Sequence, residues 1–90
     1  MSEVRNNTTL NRFELDVDGG TASADYEAAP GHITITYAEV PAELRGRGIG
    51  STLVRGALEL ARAGGLKVAS RCPFVSAYLR KHPEFNDLLG

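Results

Sequence analysis

The chain has 90 residues, ten of them basic and eleven acidic, and its formal net charge at pH 7 is -1. This length fits one domain with a thin core, because two shorter pieces would each bury too little apolar surface. The balanced charge provides no basic field, so we expect neither nucleic acid nor a membrane as partner. One cysteine excludes an internal disulfide, and since no apolar run resembles a signal peptide or a membrane span, we expect a cytoplasmic protein.

The N-terminal part of the chain predicts a hairpin after a polar start. Residues 1–11 show neither a helical nor a strand period, so we expect a flexible lead-in and assign 12–90 to the domain. Apolar and polar residues alternate over 12–17 and again over 21–28, which is typical of half-buried strands. The Asp-Gly-Gly at 18–20 separates the two runs and predicts the hairpin turn.

The run 32–40 is the most β-branched part of the chain and predicts a third strand, which Pro41 ends. Strict alternation divides its side chains between two faces, with Ile33, Ile35 and Tyr37 on one and Thr34, Thr36, Ala38 and Val40 on the other.

The second half of the chain predicts a parallel crossover followed by a helix. Apolar residues recur at helical spacing over 48–63, namely Ile49, Leu53, Val54, Ala57, Leu58, Leu60 and Ala61. The glycines at 64 and 65 end this helix, and residues 66–70 suit a buried strand parallel to 32–40. A second helix begins at Pro73 and ends before Pro83. The predicted fold is therefore α/β, with antiparallel strands leading into a right-handed β-α-β unit and a final helix.

Glycine stands at positions 46, 48 and 50, between the end of a predicted strand and the start of a helix. Bare backbone N–H groups and the positive end of a helix dipole meet there, which favours a bound phosphate. The spacing fits neither a Walker loop, which requires Gly-Lys-Ser/Thr, nor a dinucleotide loop, because Ser51-Thr52-Leu53 follows. The sequence thus predicts a phosphate site of another kind.

The segment Arg45-Gly46-Arg47-Gly48-Ile49-Gly50 resembles the Arg/Gln-x-x-Gly-x-Gly/Ala motif of the GNAT superfamily of acyl-CoA-dependent N-acetyltransferases. The strand before that motif ends in a hydrophobic residue, matched here by Val40. Three further stretches extend the likeness over residues 11–89, to minimal single-domain members of that superfamily: "NRFEL", "TYAEVPAELRGRGIG" and "GLKVASRCPFVSAYLRKHPEF".

The resemblance implies acetyl-CoA as donor, with its pyrophosphate held by amides of the glycine loop and by the charge of Arg47. The strand that ends Tyr37-Ala38-Glu39-Val40 would bind pantetheine through its backbone and supply an amide near the thioester oxygen. The residues carried over as coenzyme-binding are Val40, Arg45, Gly46, Arg47, Gly48, Gly50 and Ser51.

Acetyl transfer to an amine requires a base for the amine and an acid for the departing thiolate. The resemblance makes Tyr78 the candidate acid, since it lies in the helix after the last strand, and Glu39 the candidate base, since it ends the coenzyme-facing strand. Each has a structural alternative: Tyr78 is an aromatic packed at i+4 from Phe74, and Glu39 is a charged residue at a strand end.

Cys72 is the third candidate for a catalytic role. It stands before Pro73 at a helix start and beside Arg71, and both features lower the pKa of a thiol, so acyl-cysteine chemistry is one reading. The alternatives are a non-covalent place beside the thioester and a small buried apolar residue. His82 follows Tyr78 by four residues on one helix face, and the pair suits either a proton relay or packing at the helix end. The histidines and Cys72 lack metal-ligand spacing, so no metal is expected.

Two main functions are compatible with these residues. The first is a small N-acetyltransferase that transfers an acetyl group directly from acetyl-CoA to an unidentified amine. Compared with longer members of the superfamily, its cleft would be open, completed by a second copy in a homodimer, or suited to a protein or peptide amine. The second is a coenzyme A-binding regulatory module without turnover, which requires only residues 45–50. A third reading, RNA binding by "RGRG", lacks interleaved aromatic residues.

Overall fold

The computed structural model describes residues 3–17 and 19–89. They form one five-stranded sheet, in the order β1-β2-β3-β4-β5, with two α-helices. The strands are β1 (Arg5–Asn7), β2 (Arg12–Val17), β3 (Gly20–Ala29), β4 (His32–Glu39) and β5 (Lys67–Ser70). The helices are α1 (Ile49–Ala63) and α2 (Pro73–Lys81), and short 3-10 helices span Ala42–Leu44 and Pro83–Leu88.

The predicted fold class is confirmed. Strands β2, β3 and β4 pair antiparallel, and β4 pairs parallel with β5 after the crossover through α1. The boundaries of both helices and of β5 lie within one residue of the predicted ones. The buried side chains of the sheet, α1, α2 and the Pro83–Leu88 segment form one core cluster. Both helices pack on the same face of the sheet.

The start of the chain differs from the predicted lead-in, because β1 pairs with β2 and Val4 belongs to the core. The sequence shows no strand period here since the three residues of β1 are polar. Their partners are charged residues of β2: Arg5 binds Glu14 at 2.7 Å and Asp16 at 2.6 Å. These contacts join residues nine and eleven positions apart, so the local sequence does not reveal them. Asp18, in the predicted hairpin turn, lies outside the described residues.

Helix α1 follows the predicted stripe at every position but one, because Leu60 is 38% exposed. Leu53, Val54 and Leu58 are fully buried against the sheet. The helix ends at Gly64, and Gly65 adopts a left-handed conformation with φ 72°. Glycine adopts that conformation without strain, so the chain turns there directly into β5.

A β-bulge in β4 overturns the predicted division of its faces. Tyr26 pairs with Ile35, whereas the preceding Asp25 pairs with Tyr37, so Thr36 is an extra residue with no opposing residue in the described part of β3. One extra residue reverses the alternation beyond it. Ala38 therefore lies on the core side with Ile35, and Tyr37 lies on the opposite face, where it is 54% exposed. Strict alternation predicted the reverse, because the sequence does not reveal the bulge.

The Pro83–Leu88 segment is held against α1 by charged and aromatic contacts. Arg62 binds the carboxylate of Asp87 at 2.6 Å, and Arg55 binds that of Glu84 at 2.9 Å. Both guanidinium groups lie over the ring of Phe85, 5.0 and 5.3 Å from its centroid. Phe85 is 1% exposed, so this segment closes the core beside the two helices. Among the described residues, no helix has the length and apolar character needed to cross a membrane.

Candidate functional site

A cavity of about 390 Å³ lies where β4 ends and α1 begins. Three parts of the chain line it: the last residues of β4, the loop through the three glycines, and the first turns of the two helices. The lining residues are Tyr37, Ala38, Glu39, Val40, Leu44, Arg45, Gly46, Gly48, Ile49, Gly50, Ser51, Leu53 and Phe74. The cavity therefore has an apolar floor beneath a rim of exposed backbone.

The glycine loop presents its backbone to this cavity. Gly46 and Gly48 have φ angles of 82° and 74°, a conformation that side chains rarely allow, and a Cβ at either position would meet no atom within 4 Å. That empty space is next to bare backbone, and a ligand can approach it closely. Gly48 is also the N-cap of α1 and offers no side-chain cap. The first amides of α1 are consequently available to an anion.

The loop is tied to the end of β4 by Arg45. Its Nε donates to the carbonyl oxygen of Val40 at 3.2 Å. The Thr52 hydroxyl and backbone N–H both donate to the Gly48 carbonyl at 3.1 Å, which fixes the first turn of α1. The predicted coenzyme-binding residues thus come together around the cavity, with the exception of Arg47, an exposed residue that does not line it.

One edge of the C-terminal part of β4 is unpaired within the part of the chain that the structure describes. There, β4 pairs with β5 from His32 to Ile35, and the bond farthest along this edge is from the Arg71 N–H to the Ile35 carbonyl. Beyond Ile35, β4 continues for four residues along the cavity. Its backbone can therefore hydrogen-bond an extended polar ligand that lies where a neighbouring strand would lie.

Of the three predicted catalytic residues, the structure brings only Glu39 to the cavity. Its side chain is exposed and has no hydrogen-bond or ion-pair partner among the described residues. A carboxylate in such a position remains free to accept a proton from a ligand in the cavity.

Tyr78 lies outside the cavity, one turn beyond Phe74 along α2. It is 7% exposed, and its ring stacks on His82 at a centroid distance of 4.0 Å. The ring also packs against Phe85 at a centroid distance of 6.4 Å, and the Tyr78 side chain interacts with the guanidinium of Arg55. His82 in turn binds Glu84 at 3.2 Å. The predicted Tyr78 and His82 pair is thus in contact, within the packing between the two helices.

Cys72 also lies outside the cavity lining. It is 4% exposed, belongs to the core cluster and is the N-cap of α2. Its backbone is held by Ser70, whose hydroxyl accepts the Cys72 N–H at 3.2 Å. This environment is that of a small buried residue.

Two aromatic side chains lie at the cavity that the sequence does not identify as part of the site. Phe74 is 46% exposed and lies against Gly50, and Tyr37 stands at the outer rim. The sequence points to Phe74 only as the i+4 neighbour of Tyr78, and strict alternation predicts the opposite face for Tyr37. Within residues 3–17 and 19–89, no group of three or more His, Cys, Asp or Glu side chains is arranged to hold a metal ion.

Comparisons with known proteins agree with this geometry. A family model described as GCN5-related N-acetyl-transferase matches residues 12–88. Among solved structures, a GCN5-like protein from Staphylococcus aureus, determined in solution by NMR, aligns with a TM-score of 0.73 and 27% sequence identity. The alignment covers 98% of this chain and 87% of that chain. The comparison with curated proteins gives no match.

Proposed function

The chain belongs to the GCN5-related N-acetyltransferase family, and from this membership we propose that it transfers an acetyl group from acetyl-CoA directly to an amine. The family supports acetyl transfer in general, whereas the donor, the acceptor and the roles of single residues are parts of the proposal. The observation that carries it is the cavity shared by the glycine loop and the free edge of β4.

The glycine loop would hold the pyrophosphate of acetyl-CoA. Gly46 and Gly48 leave open space above their backbone, and the uncapped amides that begin α1 point to the same place. These features suit a diphosphate, because backbone N–H donors and the helix dipole meet its negative charge. Arg47 is exposed beside them and free to add a positive charge, and the Ser51 hydroxyl can donate a hydrogen bond.

The free edge of β4 would hold the pantetheine arm. Pantetheine contains two amide groups in an extended chain, so it can bond to the backbone of residues 36–40 as a short strand would. Val40, Leu44 and Leu53 provide apolar surface beneath it. The arm then directs the thioester along β4 toward Tyr37 and Glu39.

The transfer requires the protein to position the thioester and the amine and to supply one general base. The amine nitrogen forms a bond to the thioester carbonyl carbon, the carbon–sulfur bond breaks, and the electron pair leaves with sulfur. One proton passes from the neutral amine to Glu39, directly or through water, and the thiolate takes up one proton from water, so the protons balance once Glu39 returns its proton to solvent. A backbone amide of β4 can stabilise the negative charge that develops on the carbonyl oxygen. Tyr78 as the acid and Cys72 as an acylated nucleophile stay predictions. Neither residue lines the cavity, so neither takes part in the transfer described here.

A turnover assay tests this function. The chain is incubated with acetyl-CoA and pools of amines or peptides, and the release of free thiol is followed. Thiol release that depends on an added amine supports the transferase. Loss of this release in Glu39→Gln, with acetyl-CoA binding retained, supports it further. Binding of acetyl-CoA without any turnover would instead support a coenzyme A-binding module.

A further inference from the structure

A second cavity, of about 360 Å³, lies on the side of α2 that faces away from the glycine loop, and we call it the α2 cavity. Ser76, Leu79 and Arg80 line it, and their helical spacing from Phe74 places them on the opposite face of α2. The remaining lining residues are Ser70, Pro83, Asn86 and Leu89. None of these residues lines the cavity at the glycine loop, so the α2 cavity is a separate feature that the proposed acetyl transfer does not use.

The α2 cavity combines an apolar wall with polar groups. Leu79, Pro83 and Leu89 form the apolar part, and Leu89 is 44% exposed. Leu89 also forms a parallel bridge with Val68, so the C-terminal part of the chain runs beside β5 at the edge of the cavity. Apolar surface with a few polar groups is the usual lining of a small-molecule site, because the polar groups fix the orientation of a ligand that the apolar surface binds.

Arg80 is the charged residue of the α2 cavity, and its guanidinium has no hydrogen-bond or ion-pair partner among the described residues. The two acidic side chains that follow α2 are those of Glu84 and Asp87, and arginines of α1 bind them at 2.9 and 2.6 Å. Because these carboxylates are already paired, the positive charge of Arg80 is available to a ligand in the cavity.

Two serine hydroxyls provide a hydrogen-bond donor that faces the same cavity. The Ser70 hydroxyl accepts the Cys72 N–H at 3.2 Å and lies 2.9 Å from the Ser76 hydroxyl. Its one proton can go to the Cys72 carbonyl, at 3.0 Å, or to Ser76. That carbonyl already accepts the Ser76 N–H at 2.9 Å, so Ser70 can donate to Ser76 without leaving the carbonyl unpaired. The Ser76 hydroxyl is then free to donate its own proton into the cavity.

We propose that the α2 cavity binds a small monocarboxylate that has an apolar body. The carboxylate would accept hydrogen bonds from the Arg80 guanidinium, the Ser76 hydroxyl and the Asn86 amide, and the apolar body would pack on Leu79 and Leu89. One guanidinium matches the single charge of a carboxylate, whereas it would leave one charge of a phosphate dianion unmatched. This site goes beyond acetyl transfer and does not depend on it.

Titration of the 15N-labelled chain with hydrocinnamate tests the inference. Three other probes separate the parts of this ligand: hydrocinnamamide keeps the body without the charge, acetate keeps the charge without the body, and inorganic phosphate is the alternative anion. All are measured at one ionic strength, with the unchanged chain and with Arg80→Gln and Ser76→Ala. Lys81→Gln is the matched control, because it removes one positive charge next to Arg80 from a residue that does not line the cavity.

We expect hydrocinnamate to shift the amide signals of residues 70, 76–80 and 86–89. Its Kd should rise about tenfold in Arg80→Gln and severalfold in Ser76→Ala, and change little in Lys81→Gln. Hydrocinnamamide, acetate and phosphate should each bind more weakly than hydrocinnamate. The absence of shifts at these residues, equal losses in Arg80→Gln and Lys81→Gln, or equal or tighter binding of any of the other three probes would overturn the inference.

Discussion

Phe74 lies directly against Gly50, so that a Cβ added to Gly50 would stand 3.0 Å from the Cζ atom of the Phe74 ring. This contact joins the first turn of α2 to the first turn of α1. It explains why the third glycine of the loop has an ordinary helical conformation but still no side chain. Gly46 and Gly48 leave room for a ligand, whereas Gly50 leaves room for Phe74.

Replacing Gly50 by alanine should therefore weaken acetyl-CoA binding through Phe74. Overpacking of this kind costs about 1–3 kcal/mol, and the half-exposed ring can relieve it by moving into the cavity. We expect a clear loss of affinity by calorimetry, and recovery when Phe74→Ala is combined with Gly50→Ala. A double variant that binds no better than Gly50→Ala alone would refute this role of the contact.

Gly48→Ala tests whether the ligand approaches the backbone of the glycine loop, and Gly65→Ala is its matched control. Gly48 and Gly65 have φ angles of 74° and 72°, and a Cβ at either position would meet no protein atom within 4 Å. Alanine at either site should thus cause a similar strain, about 1–2 kcal/mol of lost stability. Only Gly48→Ala should also abolish acetyl-CoA binding, because only Gly48 lies at the cavity. Equal affinities in the two variants would show that the loop backbone does not approach the ligand.

Glu39→Gln tests the proposed base. Removal of a general base lowers kcat by about 10²- to 10⁴-fold, while the affinity for acetyl-CoA should stay unchanged because the glycine loop is intact. Glu43→Gln, an exposed carboxylate on the neighbouring 3-10 helix, serves as the control and should keep full activity. A Glu39→Gln variant that turns over at the wild-type rate at every pH would remove the base from the mechanism.

Tyr78→Phe removes the hydroxyl of the predicted acid and keeps its ring, so it distinguishes a catalytic role from a packing role. The ring contacts with His82 and Phe85 persist in phenylalanine, and Tyr78 does not line the cavity. We expect kcat to remain within about tenfold of the wild type, which is less than loss of a general acid causes. A fall of about 10²-fold or more with normal acetyl-CoA binding would show that Tyr78 supplies the proton.

Acid should loosen the Pro83–Leu88 segment. The hydrogen bonds from Arg62 hold the pKa of Asp87 below its ordinary value of 3.8. Because the folded-state pKa is the lower one, the pair stabilises the fold fully above about pH 4 and loses this effect as pH falls through the folded-state pKa. Thermal unfolding should show a lower Tm in acid and a shallower acid decline in Asp87→Asn. The difference at neutral pH should be small, since the pair is exposed.

Strands β2 to β5, both helices and the position of the glycine loop follow from local sequence patterns. Each of these elements has a short-range signal in the sequence: the helical period of α1, the β-branched run of β4, and the glycines at 46, 48 and 50. Such signals extend over a few neighbouring residues, so they can be recognised without the fold. The same is true of Pro73, which begins α2.

The features that the sequence did not predict depend on partners distant in the chain. The bulge at Thr36 arises from the register between β3 and β4, and it decides which way Tyr37 points. β1 depends on ion pairs from Arg5 to β2, and the place of Phe74 depends on the packing of α2 against Gly50. None of these relationships leaves a periodic signal, because each requires the fold to be formed first.

If the glycine loop and the free edge of β4 form the acetyl-CoA site, binding of acetyl-CoA must change the chemical shifts of their backbone amides. The 15N-labelled chain is titrated with acetyl-CoA and each backbone signal is followed. We expect the largest shifts at residues 46–51 and 37–40, together with stabilisation of about 2.7 kcal/mol at ~100 times the Kd. Saturating acetyl-CoA that leaves these signals unmoved, or moves only signals elsewhere, would contradict it.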